Sequence, residues 1–161
     1  MGDAPPTLII GLGNPILTDD AIGWRVAQAL REFLQNEPDS LPVAVEITEA
    51  CVGGLSLAEM MVGYRRAVVI DAIMTRGGVP GTVYRFKLPD LPGTLNTASS
   101  HDTNLTTALV ALRRFDAMVP ADDEIDIIAV EAQEVLSFSE ECTPAVEESI
   151  PAAVEAVLEL F

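Results

Sequence analysis

Leu8-Ile9-Ile10-Gly11-Leu12-Gly13-Asn14-Pro15-Ile16-Leu17-Thr18-Asp19-Asp20-Ala21-Ile22-Gly23 is the stretch whose reading decides the fold. A short apolar run, Leu8 to Leu12, closes on glycines and reads as a buried strand. A helix follows from Ala21 to Gln35. Its apolar residues Ile22, Val26, Leu30 and Ala29, Phe33 recur at three- and four-residue spacing. A glycine turn between a first strand and a first helix ordinarily cradles phosphate on bare N–H groups. Here Asp19 and Asp20 place negative charge where the phosphate would lie. The turn points toward a cation.

Working outward, the chain repeats the pattern. Strands are expected at 43–48, 67–73, 82–88 and 124–130, and helices at 55–61 and 103–115. The stretch 82–88 sets Val83, Phe86 and Leu88 against Tyr84, Arg85 and Lys87, the half-polar character of an edge strand. Residues 89–100 read as an irregular loop, with Ser99 or Ser100 placed to cap the helix after it. Thr143-Pro144 reads as an N-cap with proline at the first helical position, and Pro151 should kink or split the last helix. Strands alternating with helices argue one α/β domain around a mostly parallel sheet, spanning 1–161 with residues 1–6 flexible.

Composition bounds the function. The chain has 161 residues and a formal net charge of −16, from nine Lys plus Arg against 25 acids. That balance gives no basic footprint for nucleic acid and disfavours anionic membranes. No apolar run approaches the roughly 20 residues of a bilayer span, and Met1 to Pro6 does not read as a signal peptide. Cys51 and Cys142 lie far apart with no CxxC, so both are expected as buried small hydrophobes in a protein of the reducing cytoplasm. A monomer is expected.

Three features converge at the carboxyl ends of the strands, where open α/β sheets bind ligands. Asp19 and Asp20 follow the first strand. Asp71 interrupts Val68-Val69-Ile70-Asp71-Ala72-Ile73, a run that should be buried on both faces. A carboxylate there needs a cation, hydrogen bonds or a proton; capping a neighbouring loop is the plainer role. His101, the sole imidazole, starts the helix after the irregular loop, where a partly buried polar residue is the plainer reading. Asp102 is placed to orient the ring or to cap the helix. Two carboxylates and an imidazole suit an open site for a divalent transition metal, nickel or zinc.

These residues resemble a family. Gly11-Leu12-Gly13-Asn14 with Asp19-Asp20-Ala21-Ile22-Gly23 is similar to the opening signature of the hydrogenase maturation endopeptidases, GxGN then D-[DE]-[GA]-x-G. Val69-Ile70-Asp71-Ala72, Ser100-His101-Asp102 to Leu105, and Thr143-Pro144-Ala145-Val146 resemble its later blocks, in order and with compatible gaps. The resemblance implies a twisted five-stranded mixed sheet between helix layers. With the elements above, the expected fold is a three-layer α/β/α sandwich around a five-stranded, mostly parallel sheet with one antiparallel edge strand. It implies an endopeptidase, grouped with aspartic-type peptidases, that removes a C-terminal extension from the nickel-loaded large-subunit precursor of a nickel–iron hydrogenase. The metal-contacting residues fall by motif on Asp20, Asp71 and His101, which are also the candidate catalytic residues. The nickel is expected to arrive with the substrate. Asp19 is expected to be structural, accepting N–H bonds at the turn. Ala21 stands where many relatives have Gly, and no Asp-Thr-Gly motif occurs.

Other readings fare less well. Peptidyl-tRNA hydrolases also open with GLGNP, but need a histidine soon after it and a basic face for tRNA. A dinucleotide site needs a glycine where Ile16 stands. A non-cleaving nickel-sensing or chaperone-like binder of the precursor would use the same three residues, as would a protease of another metalloprotein.

Overall fold

The computed structural model describes residues 6–91 and 100–161, and the side chains of all of these except 100–104. The apolar runs form the three central strands, which are buried throughout, and the alternating stretches form the two edges. Strand β1 (Thr7–Leu12) leads through a 3₁₀ turn (Thr18–Ala21) into helix α1 (Ile22–Asn36). Then come β2 (Val45–Ala50), α2 (Gly54–Met60), β3 (Ala67–Ile73) and β4 (Val83–Lys87). Helix α3 (Ser100–Arg114), β5 (Ile125–Glu131), α4 (Pro144–Glu148) and α5 (Ile150–Leu158) complete the chain.

The five strands form one sheet in the order β2-β1-β3-β5-β4. All pairs are parallel except β4 with β5, so the antiparallel strand is at the edge, as expected. The fold is the expected α/β/α sandwich. Leu8, Ile10, Leu12, Ala67, Val69 and Ile73 face the α2–α3 layer with Leu57, Leu105 and Leu109. Ile9, Val68, Ile70 and Ile128 face the other layer with Ile22, Val26, Leu30 and Val157. Strand periodicity therefore puts Asp71 on the α2–α3 side of β3.

The connection from β1 leads outward to β2, whereas β3 lies on the other side of β1. The order reverses between β1 and β3, which is the topological switch point where such sheets bind ligands. Two glycines allow α1 to close onto it. A Cβ on Gly11 would stand 2.3 Å from the Gly23 carbonyl oxygen, and one on Gly23 would stand 2.2 Å from that of Leu12.

Several details differ from the sequence reading. Strand β2 runs two residues later than expected, because pairing with β1 carries it to Ala50 beside the switch point. Helix α3 already includes Ser100, so Ser100 is helical and not its cap; Ser99 lies outside the described residues. On β4, Tyr84 and Phe86 share one face, their rings 5.8 Å apart, and Val83 packs on the other. Pro151 does split the last helix, falling in the first turn of α5.

Candidate active site

Asp19 and Asp20 are adjacent, both buried, and differently employed. Asp19 is fully buried. One of its oxygens accepts the backbone N–H of Gln133 at 2.9 Å and of Glu134 at 3.0 Å. The other accepts the Thr143 N–H at 2.7 Å, and the Thr143 hydroxyl reaches the same carboxylate at 2.8 to 3.0 Å. Asp19 thus knits the turn after β1 to the segment between β5 and α4. It accepts N–H bonds as expected, though from residues more than a hundred positions away. Thr143 sits at the N-cap of α4, but its side chain makes no capping bond there. Its hydroxyl serves Asp19 instead.

Asp20 is held from the other side. Its Oδ2 accepts the Asn14 N–H at 2.9 Å, while the Asn14 amide oxygen accepts the Ile16 N–H at 3.1 Å. The turn is tight. A Cβ at Gly13, where φ is +142°, would stand 1.9 Å from the Asp20 carbonyl oxygen, so only glycine lets the backbone fold back this way. Thr18 takes φ 52°, a sparsely populated conformation for a β-branched residue, immediately before the acid pair. Its hydroxyl donates to the Ser137 carbonyl at 2.6 Å and its N–H to the Ser139 carbonyl at 3.0 Å. These bonds hold the strained residue in place.

Asp71 is 4% exposed, inside β3 rather than at its end, with its Oδ1 accepting the Ala72 N–H at 2.8 Å. Asp20 and Asp71 line one small cleft together with Leu12, Gly13, Asn14, Cys51 and Val52. Its volume is about 20 Å³. A water-sized centre needs roughly 10–15 Å³ by that measure, so the cleft has the size of one ion or one water. Both carboxylates come to it because β1 and β3 are neighbours in register, with Gly11 opposite Ile70.

His101 lies in the first turn of α3, one turn before the buried Leu105. Its side chain lies outside the described residues, as does that of Asp102. Among the described residues no group of three His, Cys, Asp or Glu forms a metal cage.

Cys51 departs from expectation. It is exposed, at the end of β2, and lines the cleft. A strand ending at Ala50 leaves it at the sheet's carboxyl edge. The Ala50 carbonyl before it is fixed by the Gly13 N–H at 3.0 Å and the Trp24 indole N–H at 3.1 Å. Cys142 is half-buried, and burial, with Asp19 and Glu147 nearby, pushes its thiol up to about 11.

Two further buried acids lie on β5. Asp126 is bridged by Lys87 at 2.7 Å and Arg66 at 3.0 Å. Glu131 accepts the N–H and hydroxyl of Thr75 at 2.7 and 2.8 Å, closing the loop after β3. Both are accounted for by these partners and stand apart from the cleft residues.

Residues 24–160 match the HycI family of hydrogenase maturation proteases. The chain is 33% identical over 152 residues to the hydrogenase 2 maturation protease of Escherichia coli, covering 94% of this chain and 87% of that one. It is 27% identical to the hydrogenase expression/formation protein HoxM of Azotobacter vinelandii, over 98% of this chain and 73% of that one. The structure superposes on the hydrogenase maturating endopeptidase HybD from Escherichia coli with a TM-score of 0.73 at 27% identity, covering 97% and 91% of the two chains.

Proposed function

The chain belongs to the hydrogenase maturation protease family and is a peptidase, and from that premise we propose that it removes a C-terminal extension from a nickel-loaded hydrogenase large-subunit precursor. Asp20, Asp71 and His101 complete the coordination of the substrate's nickel. The observation that carries this reading is the sharing of one ion-sized cleft by Asp20 and Asp71. Carboxylate and imidazole are donors a divalent transition ion accepts, and three protein ligands leave positions for ligands from the precursor.

The cleft has room for an ion, so the metal enters it and the scissile segment lies across its mouth. Asn14 holds Asp20 by one oxygen, and the Ala72 N–H holds Asp71, which fixes the direction of each carboxylate. Asp19 fixes the turn that carries Asp20. Binding the metal places the peptide bond near the acids, and that positioning is the main source of rate. The metal or a carboxylate of this cleft activates the attacking water, and the proton that the water loses goes to the amine released from the broken peptide bond. The protein works in the cytoplasm as a monomer, with no resident metal. Among the described residues no helix is long and apolar enough to cross a membrane.

Mass spectrometry of the precursor after incubation tests the proposal. Nickel-loaded precursor should lose a C-terminal peptide and metal-free precursor should stay intact. Binding without any cut would assign the chain to the non-cleaving readings, and equal cutting of both forms would remove nickel from the account.

A further inference from the structure

Leu136 and Phe138 are 83% and 82% exposed, yet the backbone that carries them is firmly held. The Glu134 side chain accepts the N–H of Leu136 at 2.6 Å and of Ser137 at 2.9 Å. The Thr18 hydroxyl binds the Ser137 carbonyl. Leu17 and Ser139 form a parallel bridge, with the Ser139 N–H on the Ile16 carbonyl at 3.0 Å. That register sets Ile16, 46% exposed, opposite Phe138. Three large apolar side chains therefore stand in water on two segments tied together. Burial of one such side chain is worth tenfold or more in an equilibrium constant, and folding here leaves that gain untaken. An apolar group held this way marks a contact surface.

The position identifies the occupant. The segment is bonded to Thr18 and Asp19, the two residues before Asp20, so it flanks the cleft. None of its residues lines the cleft itself, but a protein partner that presents a peptide bond at Asp20 covers roughly 800 Å² of the surface around it, enough to take in a loop bonded two residues away. Glu140 and Glu141 follow in the same exposed loop, in a chain of net charge −16. We propose that Ile16, Leu136 and Phe138 form a docking rim for the hydrogenase large-subunit precursor, which meets it with an apolar patch flanked by basic side chains. This rests on the processing role proposed above, and deepens it: the rim supplies affinity, whereas the cleft supplies the response to nickel.

The test is steady-state processing of nickel-loaded precursor by wild type and by the Leu136→Ser/Phe138→Ser double variant. KM should rise at least tenfold, with kcat at saturating precursor within twofold of wild type. Phe138→Leu should keep most of the affinity. Both side chains are exposed, so the melting temperature should not fall, and circular dichroism checks it. An unchanged KM would overturn the proposal, as would a lower kcat at constant KM. A wild-type dimer that the substitutions dissociate would assign the patch to a second copy of this chain and overturn it too. Failure of the nickel reading is distinct: wild type would then process metal-free and nickel-loaded precursor alike, whatever the rim variants do.

Discussion

Replacing Asp19 by Asn should weaken the fold more than its one-atom change suggests. The carboxylate accepts three backbone N–H groups and the Thr143 hydroxyl in a fully buried position. An amide has one acceptor oxygen. If that oxygen keeps Gln133 and Glu134, the new NH₂ faces the Thr143 N–H, donor against donor; the reverse orientation is worse. The hydroxyl of Thr143 can rotate to accept from the amide, which recovers one bond. One lost charge-assisted bond and one buried clash of donors come to about 2–3 kcal/mol. Asp19→Ala strands all four donors and should cost about 4 kcal/mol, at roughly 1 kcal/mol for each partly buried donor. For a chain of this size the Asn variant should melt about 5–10 °C lower. Urea denaturation with a common m-value gives the free energies. A loss below about 1 kcal/mol for Asp19→Asn, on the scale set by such unsatisfied donors, would refute the reasoning that this residue ties the two segments together.

Other perturbations separate packing, charge and site chemistry. Gly23→Ala drives a methyl to 2.2 and 2.3 Å from the carbonyl oxygens of Leu12 and Ile70. It should lift α1 off the sheet and cost about 3 kcal/mol, comparable with other overpacked core sites, as thermal melts would show. Asp126→Asn weakens the bridges to Lys87 and Arg66. Both cations are partly exposed, so the loss should be about 2 kcal/mol rather than the larger cost of a fully buried pair, read by chemical denaturation. Of the two thiols, exposed Cys51 should react first with an aromatic disulfide at pH 8. Cys142 should lag, and its rate should climb about tenfold per pH unit toward its raised value near 11, because only the thiolate attacks. Mass mapping of the labelled peptides at several pH values checks the order.

The elements were legible because each core face has a local period. Ile22, Val26 and Leu30 are the buried stripe of α1, and Leu105 and Leu109 that of α3. Asp71 stood out as an acid inside an apolar run, and it reaches the cleft. The same signal stands in Ile125-Asp126-Ile127-Ile128, but there it marks an ion pair with Lys87, opposite Asp126 in the strand register. The split between Asp19 and Asp20 was anticipated in kind, but not its partners. Gln133, Glu134 and Thr143 lie more than a hundred positions from Asp19, and nothing local in sequence announces such bonds. Cys51 was misread for a similar reason: its exposure follows from where β2 stops, which pairing with β1 decides.

The proposed grip of Asp20, Asp71 and His101 on the metal of the substrate is open to direct measurement. The most direct measurement is the rate at which Asp20→Asn, Asp71→Asn and His101→Ala variants, each checked for an intact fold, process nickel-loaded precursor. Losing a ligand to a metal that positions the scissile bond should slow each variant about a hundredfold or more, with melting temperatures close to wild type for Asp20→Asn. Wild-type rates in folded Asp20→Asn and His101→Ala proteins would contradict the account.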